Sequence, residues 1–196
     1  MKTISKTVLQ GATVALGLLL ASTGAAWAAP INVKWAGVGW NTSFDNLDDG
    51  FPANLSIAEA SGSFGVKRVE VLAEFDPADV DDYAGITCEY DIPLLVGIFT
   101  AKAVLTSENH DQLIGESEVG WMCLDLVEGD YYGWVEGEYI GGTGRFDGAS
   151  GHWESTFEGK NLEPTSFMNP DYAGAGYRYI SGEVTGNVNM QGSGSD

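Results

Sequence analysis

From Gly151 to Lys160 the side chains alternate without a break. Gly151, Trp153, Ser155, Phe157 and Gly159 are small or aromatic, while His152, Glu154, Thr156, Glu158 and Lys160 are polar. A period of two belongs to a β-strand with one face buried and one in water. The same alternation sets Val69, Val71, Ala73 and Phe75 against Arg68, Glu70 and Glu74. It returns at Arg178, Ile180, Gly182, Val184, Gly186 and Val188, and at Leu113, Gly115, Ser117, Val119 and Trp121. Weaker strands are read at residues 31–36, 86–91, 96–106 and 131–140. Turn residues separate them, as at Ser107-Glu108-Asn109-His110-Asp111 and Glu128-Gly129-Asp130. No long helical period occurs beyond residue 30. Eight short antiparallel strands with one polar face predict an all-β, closed soluble barrel, with a β-sandwich as the alternative.

The first residues obey a different rule. Lys2 and Lys6 precede an apolar stretch over residues 8–20, and Ala26-Trp27-Ala28 has the small-x-small form of a signal peptidase site. This reads as a secretory signal peptide over 1–28, cut after Ala28 or, alternatively, Ala29. The apolar run is shorter than the roughly 20 residues of a membrane span. One barrel domain is then expected over 29–190, with a flexible tail, Gln191-Gly192-Ser193-Gly194-Ser195-Asp196, after it. The expected compartment is periplasmic or extracellular. A lipid-facing barrel is excluded on the outward charges, because His152, Glu154, Glu158 and Lys160 would face hydrocarbon.

Charge narrows the partners. The chain has 9 basic and 28 acidic side chains, a formal net charge of −19. Losing Lys2 and Lys6 with the leader makes it more acidic still. No basic surface is available for nucleic acid. With 44% hydrophobic residues, the chain has the material for a core and is not an acidic disordered tail. Cys88, Cys123, His110 and His152 are too widely spaced for a zinc framework, and no metal site is expected. The acidic clusters Asp45, Asp48, Asp49 and Asp76, Asp79, Asp81, Asp82 lack EF-hand spacing. They read first as solvated loops, with weak calcium binding left open.

In an oxidising compartment Cys88 and Cys123 are candidates for a disulfide worth about 4 kcal/mol on the chain-entropy model. The strand reading opposes it. A strand between the two cysteine segments would hold their backbones roughly 9.5 Å apart, too far to bridge. Two buried thiols are the alternative.

The most distinctive segment is Gly141-Gly142-Thr143-Gly144-Arg145-Phe146-Asp147-Gly148-Ala149-Ser150-Gly151. It joins two strands through glycines that permit positive φ and close backbone approach. Phe146 is placed to plug one end of the core, with Arg145 toward solvent or an acidic partner. Gly141, Gly142, Gly144, Phe146, Gly148 and Gly151 are therefore assigned a structural role. The spacing fails as a dinucleotide loop, and Asp147, Ser150 and His152 are too crowded to converge as a triad. The segment resembles the G-G-T-G-x-F-x-G-A-x-G signature of the allene oxide cyclase and dirigent barrel superfamily, which has exported bacterial members. The resemblance implies an eight-stranded antiparallel barrel with a mostly apolar interior. It further implies either binding or cyclase or isomerase chemistry on a hydrophobic substrate, without a cofactor. No catalytic residue is carried over, because none matches by motif. Homo-oligomers are implied by analogy alone.

Strand phase points Trp121, Tyr131, Tyr139, Trp153 and Phe157 inward, with Gly133, Gly137 and Gly159 beside them. The interior is then either a filled core or a pocket for a small apolar ligand. Tyr131, Tyr139 and Ser155 are the polar groups available there. The net charge predicts an uncharged or cationic ligand. Arg178, the one basic residue phased inward, is the exception.

Overall fold

Eight antiparallel strands close on themselves in chain order. They are β1 (Trp27–Asn41), β2 (Asn54–Gly62), β3 (Val66–Asp76), β4 (Pro93–Ser107), β5 (Gln112–Asp125), β6 (Tyr131–Gly142), β7 (Gly151–Lys160) and β8 (Arg178–Met190). β8 pairs back onto β1, with Trp27 opposite Met190 and Gly39 opposite Arg178, so no edge is left open. The structure is a computed structural model and describes residues 27–42, 53–76, 83, 85–160 and 178–190. Residues 1–26 of the expected leader, the tail 191–196, the segments 43–52 and 161–177 and the acidic residues at 45–49 and 79–82 lie outside the described residues. β1 begins two residues before the expected cleavage point, and Ala28 pairs with Asn189. Among the described residues, no helix is long and apolar enough to cross a membrane.

The closed antiparallel barrel agrees with the alternation, but its membership differs. Residues 86–91 form no strand. The eighth strand is β2, which carries Asn54, Ser56 and Ala58 inward and Leu55 and Ile57 outward. Its polar-in pattern inverts the usual signal. The outer walls carry Lys34, Arg68, Lys102, Glu138, Glu154 and Lys160 in solvent. Exposed cross-strand pairs such as Lys102–Glu116, at 2.7 Å, are individually worth little.

A bulge in β5 corrects one expected orientation. Glu116 pairs with Glu138 and Val119 with Glu136, so Ser117 and Glu118 together oppose Gly137. The extra residue reverses the phase of the rest of the strand. Leu113, Gly115 and Ser117 face the interior as expected, but beyond the bulge Gly120, Met122 and Leu124 take over that face. Val119 and Trp121 therefore point outward. Ser117 pins the irregularity, its hydroxyl donating to the Glu136 carbonyl and accepting the Val119 N–H at 3.1 Å.

The same reversal puts Cys123 on the outer face of the wall. It is fully buried there because the connection before β4 folds back over it. Tyr83 Oη accepts the Gly120 N–H at 3.1 Å, and the Glu89 N–H donates to Tyr132 Oη at 3.1 Å. Cys88 lies in this irregular cover, and the two cysteines are disulfide-bonded with their Cα atoms 5.6 Å apart. The intervening-strand objection falls because Cys88 is not in a strand.

One end of the barrel is closed by the glycine-rich crossing between β6 and β7. Phe146 is fully buried and meets Phe64 edge to face, with centroids 5.7 Å apart. Arg145 lies over the Phe146 ring, donates to the Phe64 carbonyl at 2.6 Å and pairs with Asp111 at 3.4 Å. A Cβ on Gly142 would stand 2.0 Å from the Gln112 carbonyl oxygen and 2.7 Å from Phe146 Cβ, so no larger residue fits. Gly141, Gly144, Gly148 and Gly151 all have positive φ, with Gly144 at 60° in the left-handed region.

Candidate functional site

Above the plug, the inward faces line a cavity of about 70 Å³. Most of its wall is aliphatic, from Val69, Val71, Ile98, Leu105, Val135 and Val184. Most of its aromatic side chains come from three strands: Trp35 from β1, Tyr131 and Tyr139 from β6, and Trp153 and Phe157 from β7. Of the residues assigned inward from sequence, Tyr131, Tyr139, Trp153, Phe157 and Arg178 line the cavity together. Trp121 does not. It sits on the outer wall, edge to face with Tyr132 at 5.9 Å, as the β5 bulge requires.

The inward glycines explain why the cavity is small. Strand phase alone has them leaving room beside the aromatics. Instead each lies opposite an aromatic ring that covers it. Gly133 faces Phe157, Gly159 faces Tyr131, Gly137 faces Trp153 and Gly182 faces Trp35. A Cβ would meet the facing ring at 2.4, 2.0, 2.8 and 2.6 Å respectively. A ring laid across a bare backbone is a cross-strand pair in which one partner has given up its side chain. The interior is thus largely filled, with a residual space.

That space has polar features. Arg178 is 5% exposed, and its guanidinium carbon lies 5.9 Å from the Tyr131 ring centroid. The Tyr131 phenol donates to the Tyr179 carbonyl at 3.0 Å. Asn54 and Ser56, which sit on the strand that alternation does not signal, add polar lining, and the Asn54 amide donates to the Asn41 side chain at 3.1 Å. Among the described residues, Trp35 Nε1, Tyr139 Oη, Trp153 Nε1 and Arg178 Nη1 are buried without a hydrogen-bond partner. All four side chains line the one cavity. Native interiors leave few such groups unpaired, so four around one space is a functional signal.

Burial pushes the Tyr131 phenol up to about 12, with Arg178 pulling the other way, and pushes Tyr139 higher still. Burial lowers the Arg178 guanidinium from its ordinary value, partly offset by Tyr131. A phenol whose folded value lies above its unfolded value of about 10 gives stability that is complete below that pH and lost as pH rises through the folded value. For Tyr131 the loss is about 3 kcal/mol between pH 10 and 12, at about 1.4 kcal/mol per unit. An absorbance titration at alkaline pH should show these two phenols ionising after the others, together with unfolding. All eight tyrosines ionising together in a folded barrel would contradict the burial.

Outside the barrel, His152 stands among Glu138, Glu136 and Glu154 at 3.4, 3.7 and 3.8 Å. It forms no triad with Ser150, which instead bridges to Asn189.

No protein-family model matches the chain, and no curated protein matches it. Among solved structures, the chain aligns with a pterocarpan synthase dirigent protein at 10% identity and a TM-score of 0.39, covering 86% of this chain and 89% of that one.

Proposed function

We propose that this is an exported, water-facing β-barrel that binds a small, largely apolar ligand in its interior. The observation that carries the reading is the interior cavity, apolar in most of its wall and lined by four side chains that each hold a buried, unpartnered donor. A filled structural barrel has no use for that arrangement, since each unpaired donor costs about 1–3 kcal/mol. Export is supported by the leader pattern and by a disulfide, which persists in oxidising compartments. The charged outer walls favour water over lipid.

The size of the space limits the ligand. A dry cavity of about 150 Å³ is needed for benzene, so the space here takes a compact head and a few methylenes unless Phe157 or Met122 moves. Tryptophan fluorescence is the natural reporter, because Trp35 and Trp153 line the cavity. Titration with short-chain acids, their amides and their amines should quench or shift emission with at least one class. No response from any class, in a protein whose unfolding midpoint none of them raises, would remove the binding reading.

A second reading, a cofactor-free cyclase or isomerase, draws on Tyr139. Its phenol is shielded from water, unpartnered and held neutral by burial, which suits a hydrogen-bond donor to developing negative charge. Turnover lost in Tyr139→Phe while binding is retained would favour it over binding alone.

A further inference from the structure

Resting on that cavity reading, we infer that the ligand carries a carboxylate or an equivalent compact anion, and that Arg178 receives it. Charge arithmetic points the other way, toward a neutral or cationic ligand, because the chain is formally −19. Position decides against the arithmetic. A net charge spread over an exterior in water is screened within about a Debye length of 8 Å. A guanidinium removed from water is not.

Arg178 is the first residue of β8 and is 5% exposed. Among the described residues no ion pair joins it to a carboxylate, and Nη1 has no hydrogen-bond partner. Its aromatic neighbour Tyr131 meets it with both a ring face and the phenol oxygen, which accepts from the guanidinium while the Tyr131 proton goes to the Tyr179 carbonyl, and Nη1 is the arm of the fork left without a partner. Two neighbours make room for the head itself. Gly39 lies opposite Arg178, and a Cβ there would stand 2.9 Å from Nη2. Ser56 offers only a small hydroxyl on the same side. A guanidinium stays protonated at physiological pH and has five donors in a fixed fork. The partner that satisfies such a fork out of water is a planar two-oxygen anion. Trp35 Nε1, Trp153 Nε1 and Tyr139 Oη, on side chains that also line the cavity, are likewise unpaired donors. A cationic ligand would meet the like charge of Arg178, with no carboxylate among the described lining residues to offset the repulsion. The aliphatic wall and the small volume select a short alkyl body behind the head.

The test compares acetate, propanoate and butanoate with the corresponding amides and amines on the full exported chain, by calorimetric and fluorescence titration. The acids should bind at least about tenfold more tightly than the amides, and the amines should not bind. In Arg178→Met the acids should weaken at least about 30-fold while amide binding changes by less than about threefold. Because the substitution strands no paired carboxylate, the ligand-free Arg178→Met protein should unfold at the wild-type midpoint or above it. Amides binding as tightly as acids would overturn this inference and leave the cavity reading standing. A clearly lowered midpoint in Arg178→Met would also overturn it, by showing that the protein itself supplies the anion. If no acid, amide or amine binds the wild-type chain, both the inference and the cavity reading fall.

Discussion

Phe146→Ala lowers the unfolding free energy by about 3–5 kcal/mol, the range for truncating a fully buried phenylalanine. The ring is 0% exposed and touches both Phe64 and the Arg145 guanidinium. Its loss leaves a hole at the closed end of the barrel, and the crossing beside it is held in place by backbone and side-chain bonds between Thr143 and Gln112, which oppose inward collapse. Phe146→Leu retains most of the volume and should cost under about 2 kcal/mol. Chemical denaturation of both variants checks this. A loss below about 1 kcal/mol in Phe146→Ala would deny the crossing its role as the end-plug. Against a total stability of about 5–15 kcal/mol, the expected loss is a large fraction.

Removing the Cys88–Cys123 bridge costs about 4 kcal/mol, from the entropy returned to the unfolded chain when a link across 35 residues is opened. The double variant Cys88→Ser, Cys123→Ser should therefore show a lower denaturation midpoint. A local signature should accompany it, because the bridge fastens the irregular segment before β4 to the outer wall of β5. Hydrogen exchange should rise at the Gly120 N–H, held by Tyr83, and at the Glu89 N–H, held by Tyr132. Exchange at the Val184 and Val188 amides on β8, away from β5 around the ring, should rise only as far as global stability falls. An unchanged midpoint with unchanged exchange at Gly120 would show that the cover holds without the bridge.

Alternation along the chain was enough to indicate an all-β fold, with a closed barrel ahead of a sandwich, and the phase of most of the wall. Tyr131, Tyr139, Trp153, Phe157 and Arg178 lie inward as their alternation requires, because side-chain direction along an uninterrupted strand is a local property with period two. The role of Phe146 was legible for a similarly local reason, since it is the one large apolar side chain in a run of glycines and small or polar residues. Three features depended instead on how the strands came together. Trp121 turned outward because one extra residue in β5 faces a single residue of β6, and a bulge is a relation between two strands rather than a pattern in one. Cys88 reached Cys123 because residues 86–91, which alternate well enough to read as a strand, pack on the outer wall of β5, and closure of the ring leaves no edge for them to join. The size of the cavity was set by which ring lies across which glycine. That depends on cross-strand register, and register is a property of the assembled barrel.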